Sequence, residues 1–285
     1  MVNENLVSLM SDLEQHKAEV IHTKIWHEEA EPNNPFAAAK CSCAGYDVYG
    51  EILHKASWFE YLYLLFKLER PQPWQAELLE KIAIAIANPG IRDHSVRAAM
   101  NAGVGGSTSA SALMAALAVG AGHLNGAREV FVMMEWWKRC GVNIEDWQNT
   151  INNPPKHKRA SVWGDIEHTP GFDPTGTVCT QPVLQTLDTL ITIKDDSYLS
   201  WLQKNRKELE KLTDSPLNMS GVISTALMDL EFTAEQAEML YLIMRLPGAA
   251  VHALEQKQLG WKKYPFFGSA LKISNDPLKE AVNEN

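Results

Sequence analysis

Helix signals follow one another from Ser57 almost to the C-terminus, and no series of alternating strands interrupts them. This constrains the fold more than any other feature of the chain. Ser57-Trp58-Phe59-Glu60 is a capping box ahead of an apolar run from Tyr61 to Leu68. Pro71 and Pro73 end that helix. Pro73 opens the next, which carries Leu78, Leu79, Ile82 and Ile86 on its inner face, and Asn88-Pro89-Gly90 stops it. Further helices are predicted over Ser107–Val119, Gly126–Cys140 (closed by Gly141), Ile144–Ile151, Pro182–Ile193, Ser197–Leu212 and Asn218–Leu230. Thr233 and Gln236 form a second capping box. The helix they open runs to about Met244 and continues past Pro247 to Gln256. Only Val20–Ile25 alternates like a strand, so the fold class is all-α. The longest irregular stretch, Asn152–Thr180, holds four prolines, the kind of loop that often carries function.

The 285 residues suffice for one large domain, with or without a small one. A net charge of −9 with no basic stripe argues against nucleic-acid binding, and the short basic cluster Lys156–Arg159 reads as a solvated loop. Met1–Glu14 is polar and acidic and lacks the apolar stretch of a signal peptide. The apolar run Ser109–Gly122 is shorter than the roughly 20 residues that a membrane span requires. Cys41, Cys43, Cys140 and Cys179 lack the paired spacing of a zinc site and read as structural thiols of a reducing cytoplasm. The aromatic residues Tyr61, Tyr63, Trp136 and Trp137 sit on apolar helices as core.

Four segments, in order, carry a resemblance. Ala44-Gly45-Tyr46-Asp47-Val48 is followed by Ser57–Glu60 and Leu64–Pro71. The turn Ala121–Val130 reads AGHLNGAREV. Thr169–Pro174 reads TPGFDP. Leu217–Gly221 reads LNMSG, followed by Arg245-Leu246-Pro247-Gly248 and His252–Glu255. Together they are similar to the citrate synthase/citryl-CoA lyase family, and their compact form is closer to the lyase-type branch. The resemblance implies a multi-helix fold with a large and a small helical domain. An N-terminal helix and arm would cover 1–40. The large domain would cover 41–152 and 217–285, and the loop and small domain 153–216.

The resemblance also implies carbon–carbon bond chemistry on a coenzyme A thioester, acetyl-CoA with oxaloacetate or a related 2-oxo acid, without a metal. In that chemistry an aspartate removes a proton, a histidine holds the thioester oxygen, a second histidine polarises the partner carbonyl, and arginines bind carboxylates. Here the aspartate position falls on Ser220, which is no base near neutral pH without an activating partner. Leu124 stands where the turn histidine belongs. His123, one residue earlier, either faces the cleft or caps a helix end. At the third motif the histidine is missing, which leaves His168 and Asp173 as stand-ins. His94 and Arg245 are the candidates for substrate binding, and Gly122, Asn125 and Gly126 of the turn are the candidates for binding the CoA moiety. The altered positions keep open a catalytically inactive homologue that serves as a structural or regulatory subunit. The implied setting is a cytoplasmic homo-oligomer, a dimer or larger, with or without a paralogous subunit.

Overall fold

The computed structural model describes residues 22–155 and 167–264, and among them the chain divides into two compact units at Ala76/Glu77. The first unit opens with three antiparallel strands in sequential order: β1 (His27–Glu31), β2 (Asn34–Cys43) and β3 (Tyr46–Asp47). His27 pairs with Ser42 and Glu29 with Lys40, and Cys43 pairs with Tyr46 across the turn at Ala44-Gly45. Asp47 then caps a π-helical turn, Val48–Ile52, by accepting from the Tyr49 and Gly50 N–H groups. Helix α1 (Trp58–Lys67) has the capping box that the sequence predicts, with Ser57 Oγ accepting from Glu60 N–H and Glu60 returning to Ser57 N–H.

The hairpin is a departure from the helical expectation for this region. Every residue of β1 is exposed, and β2 is buried only at its end. A strand wetted on both faces needs no apolar alternation, so the pattern that reveals half-buried strands is missing. The helix expected within 1–40, the Val20–Ile25 alternation before His22, and the basic cluster Lys156–Arg159 lie outside the described residues.

Helix α2 (Pro73–Ile86) begins at the predicted proline and crosses the unit boundary. The second unit continues with α3 (His94–Val104), α4 (Ser109–Gly120), α5 (Ala127–Cys140), α6 (Ile144–Asn152), α7 (Gln181–Leu190), α8 (Tyr198–Thr213), α9 (Met219–Asp229) and α10 (Ala234–Leu259). Helix α10 packs against α3, α4 and α5, while α9 packs against α5 and α8. The helix α3 has no counterpart in the sequence reading. Its buried face is Ser95, Val96, Ala99 and Gly103, too small and too polar to show a strong apolar period.

Small residues set the spacing in this unit. Ala99, Ala112, Ala116, Ala249 and Ala253 form one buried cluster where α3, α4 and α10 meet. A Cβ on Gly103 would stand 2.4 Å from Ala253 O, so only glycine admits this approach. Elsewhere large aromatics fill the core. Trp137 meets Trp147, Tyr198 and Trp201 edge-on, with ring centres 4.8–5.5 Å apart. Its Nε1–H donates to Thr225 Oγ1 at 3.0 Å, so the indole is buried without an orphaned donor.

Candidate functional site

The turn between α4 and α5, the loop Glu167–Asp173 and the N-terminus of α9 meet around one carboxylate. Glu129, in the first turn of α5, is 0% exposed. Its Oε2 accepts from Asn125 N–H at 2.6 Å. Its Oε1 accepts from Gly171 N–H and from Asn218 Nδ2, each at 2.9 Å. The Nε2 of His168 stands 3.6 Å from the same Oε1. A charge removed from water must be compensated by donors, and Glu129 collects three of them from three separate segments.

The same groups hold α9 in place. Asn218 is its N-cap, and Oδ1 accepts from Gly221 N–H at 2.9 Å and from Ser220 Oγ at 2.7 Å. The loop pairs with the strand-like segment ahead of the cap: Asp173 N–H donates to Pro216 O, Asn218 N–H donates to Gly171 O, and Phe172 bridges Leu217. Gly171 has φ +82°, and a Cβ on it would lie 2.9 Å from Gly221 Cα. The two glycines are therefore required where the loop crosses the helix.

A second buried charge lies on the other side of Asn125. Arg245, on α10, is 6% exposed. Its Nη1 donates to Asn125 O at 3.0 Å, its Nη2 pairs with Asp93 Oδ2, and the guanidinium stacks over the Tyr241 ring. Asp93 also caps α3 by accepting from Ser95 and Val96 N–H. Burial pushes the Tyr241 hydroxyl up to about 12, which keeps it protonated. The backbone of Asn125 therefore serves both charges, with its N–H on Glu129 and its C=O on Arg245. It does so at φ 54°, a left-handed conformation that asparagine tolerates better than most residues.

The residues singled out in the sequence fall in different places. His168, Asn125 and Ser220 join the Glu129 cluster. Ser220 is 1% exposed and its hydroxyl is committed to Asn218. Arg245 is tied to the cluster through Asn125, and its carboxylate partner is Asp93. His94, the next residue, is exposed at the start of α3. Asp173 accepts from Thr175 N–H and Oγ1, closing a local turn rather than facing Glu129. His123 and Gly122 lie half-buried in the α4–α5 turn. Gly126 caps α5, where a Cβ would meet Gly122 O at 2.2 Å. Its role in this structure is close backbone approach. Glu129 itself was missed, because a glutamate in a helical pattern is ordinarily solvated. Its place in the AGHLNGAREV turn was the available signal. Among the described residues no group of three or more His, Cys, Asp or Glu is arranged to hold a metal. No described helix is long and apolar enough to cross a membrane.

This architecture is the citrate synthase-like helical fold. The citryl-CoA lyase from Hydrogenobacter thermophilus superposes with a TM-score of 0.64 at 15% identity, covering 91% of this chain and 99% of that one. ATP citrate lyase from Methanothrix soehngenii, solved in complex with citrate and coenzyme A, gives a TM-score of 0.70 at 16% identity over 95% of this chain, which matches 44% of that longer protein. Citrate synthase from Thermotoga maritima MSB8 gives 0.55 at 16% identity, covering 78% of this chain and 60% of that one. No protein-family model matches the sequence, and a comparison with curated proteins returns no match.

Proposed function

We propose that the chain acts on a coenzyme A thioester, forming or cleaving a carbon–carbon bond between an acyl-CoA and a 2-oxo acid such as oxaloacetate. The observation that carries this reading is His168 held against the buried Glu129 at the N-termini of α5 and α9. An imidazole beside a buried carboxylate can donate to or accept from a carbonyl or hydroxyl oxygen. The α4–α5 turn, Gly122 to Gly126, would approach the CoA moiety. Arg245 would take a substrate carboxylate, which must displace Asp93, because the cavity of about 10 Å³ beside the guanidinium holds no more than one water. The chemistry itself calls for no metal. The proposed setting is a cytoplasmic homo-oligomer. Helix α4 carries no charged residue, yet Met114 is 61% and Val119 46% exposed, a surface suited to cover by another subunit.

Titration of the protein with acetyl-CoA, oxaloacetate and citryl-CoA, followed by assays for thiol release and acetyl-CoA formation, tests the proposal. Saturable binding with turnover in one direction is the expected result. Absence of binding to all three compounds would remove it.

A specific observation favours a second reading, a catalytically inactive homologue that serves as a structural or regulatory subunit. Ser220 occupies the position where the resemblance implies the proton-abstracting aspartate. It is buried and donates to Asn218, with no activating base among its hydrogen-bond partners. Binding of a CoA thioester without turnover would select this reading.

A further inference from the structure

The chain is acidic overall, with a net charge of −9, yet its N-terminal hairpin gathers basic and hydroxyl groups on one face. We propose that this face binds the phosphate monoester of a small polyhydroxylated molecule, a sugar phosphate, in a cleft built entirely by the first unit. None of the residues that line the cleft belongs to the Glu129 or Arg245 clusters.

The register of the hairpin places the groups. His27 lies opposite Ser42, and Glu29 lies opposite Lys40. Residues opposite each other in an antiparallel pair project to the same face, as do residues two apart on one strand. The four side chains therefore form a two-by-two block. With Thr23 and Lys24 they line a cleft of about 350 Å³, more room than a bare phosphate needs and within the range of small-molecule sites.

Ser42 is 7% exposed and borders the cleft, yet its hydroxyl has no hydrogen-bond partner among the described residues. A buried hydroxyl left in that state is costly, and a ligand oxygen would relieve it. Thr23 Oγ1 accepts from Ile25 N–H at 3.1 Å, which leaves its own hydroxyl proton to donate. Lys24 is exposed and has no carboxylate partner among the described residues. The His27 imidazole offers an N–H in either protonation state. The four donors share one end of the cleft, because Thr23 and Lys24 lead directly into His27. A phosphate monoester suits them, since its oxygens carry close to two negative charges and are strong acceptors.

The other end has the opposite chemistry. Glu29 lies two residues from His27, about 7 Å along the strand. Lys40 Nζ stands 3.8 Å from Glu29 Oε1, and both side chains are about half exposed. So loose a surface pair contributes little and can be redirected. A carboxylate repels phosphate but accepts from hydroxyls. This end therefore fits the polyol portion of a ligand whose phosphate sits at Ser42.

Isothermal titration of the full chain with glucose 6-phosphate, inorganic phosphate, glucose and malonate tests the site. Glucose 6-phosphate is expected to bind saturably and more tightly than the other three. Lys24→Ala should weaken it about tenfold, and Ser42→Ala by several-fold. Glu29→Ala should remove the preference for glucose 6-phosphate over inorganic phosphate. The amide signals of His27, Ser42 and Gly45 should shift during the titration, while those of the Trp137 cluster stay in place. Lys24 and Glu29 are exposed, so two of the three variants leave the core untouched. Absence of saturable binding up to about 10 mM overturns the site. So does binding that Lys24→Ala and Ser42→Ala leave unchanged, or amide shifts confined to other residues. Malonate or inorganic phosphate binding as tightly as glucose 6-phosphate in the wild type overturns the sugar phosphate assignment.

Discussion

Asn218 Nδ2 lies 2.9 Å from Glu129 Oε1, so the residue that caps α9 also solvates the buried carboxylate of α5. Replacing Asn218 with alanine removes an N-cap and leaves Glu129 short of a donor. The two losses together should destabilise the fold by about 2–4 kcal/mol. Urea unfolding of Asn218→Ala against wild type reads this directly. A loss below about 0.5 kcal/mol would show that the carboxylate is satisfied without α9.

The Arg245–Asp93 pair is buried on both sides, with side-chain exposures of 7% and 11%. Removing one partner strands the other charge. Arg245→Ala should therefore cost about 3–5 kcal/mol, while a double replacement by apolar residues of similar volume should cost less than either single change. A double-mutant cycle followed by thermal unfolding checks the sign of that difference.

Gly221 faces Gly171 so closely that an added Cβ would stand 2.4 Å from Gly171 O and 2.8 Å from Leu217 Cδ1. Gly221→Ala should lose more than about 2 kcal/mol, because the loop must move off the helix. The same displacement pulls Gly171 N–H away from Glu129. Hydrogen exchange at Gly171 should accelerate in this variant relative to amides in the Trp137 cluster.

Asp229 is 3% exposed, and its carboxylate accepts from Tyr198 and Leu199 N–H at the start of α8. Burial pushes its carboxyl above the ordinary aspartate range, and these bonds oppose the shift without cancelling it. Because the folded-state value lies above the unfolded one, the contribution to stability is fully present below the unfolded value and is lost as pH rises through the folded value. The stability of wild type relative to Asp229→Asn should therefore fall as pH rises from about 4. A difference that grows over the same range would mean that the two backbone bonds dominate.

The helical skeleton was legible where side chains act locally. Both capping boxes form at Ser57 and Thr233, and Pro73 opens α2 as its fixed φ requires. Gly141 closes α5 in the same way. The β-hairpin was not legible, because His27–Glu31 is wet on both faces and carries three glutamates. Among the site residues, the roles of His168 and Arg245 depend on partners 39 and 152 positions away, Glu129 and Asp93. Local pattern carries no information about such pairs. Ser220 could be recognised as a non-base from its chemistry alone, but its bond to Asn218 is a fact of the folded cap.

The glycine contacts have a consequence for which substitutions such a chain can absorb. Gly248 N–H, one residue past Pro247 within α10, donates to Ala87 O at 2.7 Å. Gly103 abuts Ala253 O, and Gly221 abuts Gly171 O. Each of these contacts joins main chain to main chain, so it is indifferent to which side chains surround it. The side chains around these junctions could therefore be exchanged while the junctions keep the helices in register. The spacing of the helices is thus set at a few positions without side chains, apart from the groups gathered at the ends of those helices.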